Sequence, residues 1–139
     1  MTGSCEIEVF FDECAPPISC VTVEELDRVL DQLEARADPT RPPLAVAIVA
    51  YEHEVDLGLG TDPTFLCIQV PPRDGECYVA VGDLTAGEAR AFYGAGQDSY
   101  WAPKHLVPAA AARDAVRHFI LCQARSKLLR WESWDGRAA

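Results

Sequence analysis

The sequence predicts a single α+β domain over residues 1–139, with an antiparallel meander of about five to six strands packed with two main helices. Two amphipathic patterns with helical spacing, one near each end of the chain, predict the helices. Between them, short apolar runs separated by turn residues predict the strands. A length of 139 residues suits one domain, and a hydrophobic content of 49% suffices for an ordinary core.

The N-terminal part predicts a strand, a loop and the first helix. Glu6–Phe11 alternates charged and apolar residues, which indicates a half-buried strand. The loop that follows contains Pro16-Pro17. Thr22 is placed to cap a helix of about four turns, with Glu25 as its capping-box partner, and Asp38-Pro39 ends it. The apolar stripe of this helix consists of Val23, Leu26, Leu30, Leu33 and Ala37.

The central segment, residues 44–82, predicts consecutive antiparallel strands joined by turns at 52–54 and 71–75. The strands are expected at Leu44–Tyr51, Val55–Gly60, Phe65–Val70 and Cys77–Val81. Phe65–Val70 is apolar on both faces and is expected at the centre of the sheet. Gly58 and Gly60 are expected to allow a close approach of backbone or side chains.

The C-terminal part predicts one more strand, the second helix and an anchored tail. Ala89–Tyr93 favours a strand over a short helix because two glycines follow closely. Asp98–Trp101 is expected near the surface, and Lys104–Val107 is expected to be extended. Pro108 suits the first turn of a helix, and Trp131 is expected to anchor the tail in the core. The apolar stripe of the second helix consists of Ala112, Ala115, Val116, Phe119 and Ile120.

The net charge of −10 is distributed unevenly along the chain. Residues 1–40 carry ten acidic and two basic side chains, residues 41–102 carry nine and three, and residues 103–139 carry three and seven. An acidic protein repels phosphate groups, so direct nucleic-acid binding is not expected. The same charge attracts basic partners and speeds encounter with them, although acidic surfaces also serve solubility alone.

The sequence predicts a cytoplasmic protein without a membrane partner. No apolar run approaches the roughly 18 residues of a membrane span, and the N-terminus lacks the basic and then apolar pattern of a secretory signal. The six cysteines include no CxxC pair, and the three histidines are scattered, so no metal or cofactor is expected. Cys67 and Cys77 are expected in the core, and a Cys14–Cys20 bridge is left open.

No arrangement of residues predicts catalysis, and no catalytic residue is assigned. Glu52, His53 and Glu54 would supply a general base or hold a metal, but these residues lie in a predicted turn, where neighbours in sequence need not converge. The Gly-Leu-Gly of the third strand lacks the third glycine and the following helix of a dinucleotide-binding loop. A small enzyme centred on His53 is therefore the weaker hypothesis, and a binding protein the stronger one.

The order and spacing of several short motifs resemble the Imm1 family of bacterial immunity proteins, over roughly residues 20–134. The motifs are Val23-Glu24-Glu25-Leu26, Leu57-Gly58-Leu59-Gly60, Phe65-Leu66, Asp74-Gly75, Phe92-Tyr93-Gly94, Val107-Pro108 and Leu129-Arg130-Trp131. Structural roles within them are assigned to Gly58, Gly60, Gly75, Pro108 and Trp131. Where the family often has Arg-Pro before the tryptophan, this chain has Arg125-Ser126.

The resemblance implies an α+β immunity domain whose gene neighbours that of a polymorphic toxin, often a cytosine deaminase that acts on double-stranded DNA. It implies further that the protein binds that toxin and blocks its active site. An acidic inhibitor suits such a target, because a deaminase must hold a phosphate backbone around its zinc-bound water. An intracellular adaptor unrelated to toxins is the alternative.

Polarity and placement, together with the frequency of aromatic residues at binding hot spots, select seven candidate contact residues. They are Asp56, Asp62, Asp74, Glu76, Tyr93, Tyr100 and Trp101.

Overall fold

An antiparallel sheet forms the centre of the protein in the computed structural model, which describes residues 6–36, 38–69, 76–94 and 96–134. In chain order, the elements are β1 Ile7–Phe10, β2 Ile18–Cys20, α1 Val23–Ala35, β3 Ala45–Ala50, β4 His53–Gly58, β5 Leu66–Gln69, β6 Cys77–Val81, β7 Arg90–Gly94, β8 Gln97–Trp101, a 3-10 turn Pro103–His105, α2 Ala109–Cys122 and β9 Arg130–Ser133. The predicted α+β class is confirmed.

The main sheet has seven strands in the order β2-β1-β3-β4-β5-β6-β9, and β7 and β8 form a separate hairpin. All neighbouring strands are antiparallel. The predicted meander corresponds to β3 through β6, but the predicted number of five to six strands is too small. β2 lies at the end of the predicted loop and β9 in the predicted tail. Because these strands have only three and four residues, their own sequence pattern is weak and pairing with β1 and β6 defines them.

Two predicted boundaries are wrong for local reasons. Tyr51 and Glu52 have φ values of 54° and 64° and form the whole turn between β3 and β4, so His53 and Glu54 belong to β4. The segment Lys104–Val107 is not fully extended, because the 3-10 turn ends only at His105. The predicted turn at 71–75, and Ala37 and Val70 at the ends of predicted elements, fall outside the described residues.

Both helices cover one face of the main sheet. The Thr22 hydroxyl accepts a hydrogen bond from the Glu25 amide at 3.1 Å, as the capping box predicts, and the Glu25 carboxylate accepts one from the Val21 amide at 3.3 Å. The described residues of the predicted α1 and α2 stripes are buried against the sheet as one hydrophobic core. Trp131 packs against this core and donates its indole N–H to the carbonyl of Ser126 at 2.9 Å, so the predicted anchor is confirmed.

Two arginines of α2 join it to α1 through ion pairs. Arg113 contacts Asp27, Asp31 and Glu34 at 3.1, 2.7 and 3.0 Å, and Arg117 contacts Asp27 at 2.7 Å. Burial lowers the pKa of Arg113, but Glu34 and Asp31 raise it by more, and Asp27 and Asp114 raise the pKa of Arg117. Much of the acidic charge of α1 is therefore neutralised within the protein.

The β7–β8 hairpin covers part of the opposite face and packs there in a second, smaller core. Its Phe92 lies over Gly58, where an added Cβ would stand 2.4 Å from the Phe92 ring and 2.3 Å from the Thr64 hydroxyl. The close approach predicted at Gly58 is therefore present. Gly60 instead has a φ of 81° with nothing within 4 Å of an added Cβ, so only its backbone conformation requires glycine. Pro108 is the N-cap of α2, one residue before the predicted first turn.

Candidate functional site

The part of the sheet that the hairpin leaves uncovered is the candidate site, and we call it the open face. Since side chains alternate along each strand, the residues of β1, β3, β4 and β5 that point away from the helices share this face. Those that the hairpin does not cover are Glu8, Phe10, Ala47, Val49, Glu54, Asp56 and Gln69. The described members of this set carry three carboxyl groups and no basic group.

A groove of about 500 Å³ runs across the open face, between the hairpin and the loop after β1. Its carboxyl groups come from that loop and from β4, and they are Asp12, Glu13, Glu54 and Asp56. Apolar side chains, including Phe10, Ala47 and Trp101, line the rest. The groove therefore combines negative charge with apolar surface, which suits a basic group that has an apolar stem.

Strand register sets the width of the groove. Phe10 pairs with Ala47, and Ala47 pairs with Asp56, so the three lie in one row across β1, β3 and β4. Neighbouring strands are about 4.8 Å apart, which places the backbones of Phe10 and Asp56 roughly 10 Å apart, with the small Ala47 between them. The short alanine side chain leaves a slot between an aromatic ring and a carboxyl group.

Glu54 and Asp56 form a carboxyl pair on β4. The Gln69 amide donates to Glu54 at 3.4 Å and to Asp56 at 3.3 Å. Burial, followed by the hydrogen bond and the charge of Glu54, raises the pKa of Asp56 to about 8, and the Gln69 amide acts in the opposite direction. Near neutral pH Asp56 therefore carries its proton most of the time.

The carboxyl pair of Glu54 and Asp56 differs from the acidic groups that form salt bridges elsewhere in the protein. Within the described chain, salt bridges join α1 to α2, Glu132 to Lys104 and His105, Asp83 to Arg130 and Asp38 to Arg41. None of these salt bridges includes a groove carboxyl group. Among the described residues, the carboxyl groups of the groove thus have no cationic partner.

A thiol pair borders the groove. The Sγ atoms of Cys67 and Cys77, on β5 and β6, are 2.6 Å apart. This hydrogen bond raises the pKa of Cys67, as burial does, and lowers that of Cys77. Both side chains belong to the second core, as predicted. Cys14 and Cys20 are free thiols, so the bridge that the sequence left open is not formed.

The predicted contact residues do not converge on one surface. Asp56 and Trp101 line the groove, but Trp101 is only 9% exposed and stacks on Phe65 with ring centroids 4.0 Å apart. The sequence placed Trp101 near the surface, but the hairpin turns it into the second core; its role as a contact residue stays a prediction. Asp62 is exposed, and its carboxylate accepts the Ala109 amide at 3.0 Å at the start of α2.

The other candidates that the structure describes are not among the residues that line the groove. Tyr100 on β8 is 68% exposed. Tyr93 is half-buried under the guanidinium of Arg41, 5.1 Å from its ring centre, and lines a second cavity of about 380 Å³. Glu76 is exposed and accepts the hydroxyl of Tyr78. Asp74 and Gly75 lie outside the described residues.

Sequence reasoning missed most of the groove. Phe10, Asp12, Glu13 and Gln69 were not proposed as contacts, and Glu54 was considered only as part of a catalytic or metal-binding group. Alternation along β4 was sufficient to place Glu54 and Asp56 on one face. The signal for the remaining residues is the strand order, which no local pattern contains.

The geometry does not support the hypothetical catalytic group around His53. His53 and Glu54 are adjacent on β4 and point to opposite faces; the His53 ring contacts Phe119 at 5.2 Å, on the helix side, and its Nδ1 lies 2.8 Å from the Tyr51 carbonyl. In the described ranges, no group of three or more His, Cys, Asp or Glu side chains is arranged to hold a metal ion. No helix in the described parts of the chain has the length and apolarity needed to cross a membrane.

Comparison with known proteins supplies the family. The profile described as Immunity protein Imm1 matches residues 15–133, which include both helices and strands β2 to β9. A search of curated proteins finds no match. The profile match covers most of the chain and agrees with the motifs described above, so the chain belongs to the Imm1 family of immunity proteins.

Proposed function

We propose that this protein binds a cognate toxin domain encoded by a neighbouring gene and blocks its active site, and that this toxin is a nucleic-acid cytosine deaminase. Family membership supports the immunity role. The observation that carries the mode of action is the groove on the open face, whose carboxyl groups have no cationic partner in the described chain. The protein acts in the cytoplasm by binding alone, without turnover, cofactor or metal.

The proposal rests on complementary charge. A deaminase that acts on nucleic acid needs lysine and arginine side chains around its pocket to hold the phosphate backbone. A protein with a net charge of −10 and an uncompensated acidic groove is attracted to that surface and competes with the substrate for it. Steering raises the association rate, while desolvated contacts within the interface slow dissociation.

The groove alone is too small for a stable complex, since specific interfaces bury about 1,200–2,000 Å² in total. We propose that residues outside the groove complete the contact. Tyr100 on β8 and the sequence-derived candidates Asp62, Asp74 and Glu76 are the residues to test first.

The experiment pairs the purified protein with the purified toxin domain from the adjacent gene. We expect a one-to-one complex that abolishes cytosine deamination and weakens as salt is raised. Ala47→Arg places a bulky cation on the groove floor, and we expect at least about 100-fold weaker binding because the groove is then filled and neutralised. Ala124→Arg, at an exposed position beyond α2, is the matched control and should bind normally.

The outcomes separate the parts of the proposal. No association at low salt, or no rescue of cells that express the toxin, refutes the immunity function and favours the adaptor. Rescue from a toxin without deaminase activity refutes only the target class. Equal binding by the two arginine variants refutes the open face as the contact surface.

A further inference from the structure

We propose that the groove receives one arginine side chain of the partner, with its guanidinium between the Phe10 ring and the carboxyl groups of Glu54 and Asp56. This inference rests on the proposed toxin binding. This arginine would be the central anchor of the interface. The slot between ring and carboxyl pair, the bridging amide of Gln69 and the charge of the surrounding groups each support this occupant.

The slot has the shape of a guanidinium site. Phe10 is 41% exposed and faces Asp56 across Ala47, at a separation of roughly 10 Å set by two strand spacings. A guanidinium can stack on an aromatic ring while its N–H groups point outward in its own plane toward carboxylates. The apolar stem of the arginine would lie over the alanine methyl group.

The carboxyl pair favours arginine over lysine. One NH₂ group, that of Gln69, already reaches both carboxyl groups, at 3.4 and 3.3 Å, which shows that a planar donor can serve the two together. Arginine offers five donors in a rigid fork and suits such paired acceptors. A lysine ammonium is a compact point charge that cannot stack on Phe10 in the same way.

The groups that face Asp56 are carboxyl groups, neutral side chains and two weakly acidic thiols. They come from β1, the loop after it, β3, β4, β5, β6 and the hairpin, and comprise Glu8, Phe10, Asp12, Glu13, Ala47, Glu54, Cys67, Gln69, Cys77, Gln97 and Ser99. No lysine or arginine in the described ranges is among the residues that line the groove. A cation from outside therefore meets unopposed negative potential here.

Binding should release a proton. With the pKa of Asp56 raised to about 8, roughly nine-tenths of this carboxyl group is protonated at pH 7 in the free protein. A guanidinium favours the ionised form and lowers that pKa, so the proton leaves as the arginine enters. The affinity should therefore rise by up to about tenfold per pH unit below pH 8 and level off above it.

The test is calorimetric titration of the full chain with the cognate toxin domain at pH 7, in phosphate and in Tris. The difference in apparent enthalpy between the two buffers gives the number of protons released, which we expect to be close to one. Asp56→Asn mimics the neutral carboxyl group, so it should fold, lose the proton release and bind about 10- to 100-fold more weakly. Asp98→Asn, at an exposed position on β8, is the control and should keep both properties.

A second measurement does not need the toxin. N-acetyl-arginine methylamide, titrated into the labelled protein, should shift the resonances of Phe10, Asp56 and the Gln69 amide. The citrulline analogue has a similar shape but no charge and should not. Equal shifts with both compounds, or none with either, overturn the anchor.

The toxin titration separates the two proposals. A complex that forms without proton release, or one that Asp56→Asn and Asp98→Asn form equally well, overturns the anchor and leaves the immunity function standing. If the unaltered protein fails to bind the toxin, the proposed function falls, and the arginine titration alone decides what the groove accepts.

Discussion

Asp56→Asn should make the free protein more stable at alkaline pH, although it removes a polar group from a proposed binding site. Burial and Glu54 raise the pKa of Asp56 from 3.8 to about 8 in the folded protein. In the unfolded chain this carboxyl group ionises at its ordinary pKa. Between these two values only the folded state holds the proton, so stability falls as the pH rises.

The pKa difference sets the size of this effect. One pKa unit corresponds to about 1.4 kcal/mol, so the fall from pH 4 to pH 7 is at most about 4 kcal/mol. Part of this shift comes from the hydrogen bond and the charge of Glu54, so the loss depends on that neighbour as well as on burial. The contribution is fully present below pH 4 and has been lost once the pH passes 8. Asparagine keeps the shape and hydrogen bonding of the neutral acid and cannot ionise.

Urea unfolding between pH 4 and 9 measures the difference directly. We expect Asp56→Asn to match the unaltered protein near pH 4 and to exceed it by about 1–4 kcal/mol at pH 8, where the ionised acid is most costly. Asp98→Asn controls for the loss of one negative charge. A stability difference that stays constant from pH 5 to pH 8, or an Asp56→Asn variant less stable than the unaltered protein at pH 8, would refute this reasoning.

Three further predictions concern the frame of the site. Gly58→Ala should lower the free energy of unfolding by about 2–3 kcal/mol, because the new methyl group meets the Phe92 ring and the Thr64 hydroxyl. Gly60→Ala should lower it by only about 1 kcal/mol, because only the positive φ of the backbone opposes alanine there. Equal losses of stability in urea unfolding would contradict the packing argument. Diamide, a two-electron oxidant that is reduced to its hydrazine as two thiols become a disulfide, should join Cys67 to Cys77 and remove two thiols from a thiol titration, and a disulfide elsewhere in the peptide map would contradict it. Arg113→Leu should lower stability by about 1–3 kcal/mol, since three carboxylates lose their shared partner, and a change below 0.5 kcal/mol would show that these ion pairs contribute little.

Local sequence rules predicted what depends on local contacts. The α1 stripe and the Thr22 cap are correct because helix periodicity and capping act within a few residues. The four strands from β3 to β6 follow from apolar runs and turn residues. In contrast, β2 and β9 are so short that pairing with β1 and β6 defines them. A local sequence pattern does not show which strands will pair.

The site itself depends on long-range contacts. Phe10 and Asp56 are far apart in the sequence, and only the order β1-β3-β4 brings them into one row. Trp101 resembles a surface aromatic in its polar context, yet stacking on Phe65 buries it. Arg113 lies outside the apolar stripe of α2, and only the packing of the two helices shows that it joins α2 to the acidic side of α1. Charge counting along the chain therefore overstated the acidity of α1 and could not locate the groove.

The stability and binding predictions for Asp56 constrain one another. In the free protein, ionising this carboxyl group above its unfolded-state pKa costs folding free energy; in the complex, a guanidinium compensates the same charge. The free energy of unfolding and the affinity for the partner must therefore both stop changing with pH near pH 8, where the carboxyl group of the free protein gives up its proton. If the affinity levels off near pH 6 while stability continues to fall to pH 8, a different group releases the proton on binding, and the arginine does not lie against Asp56.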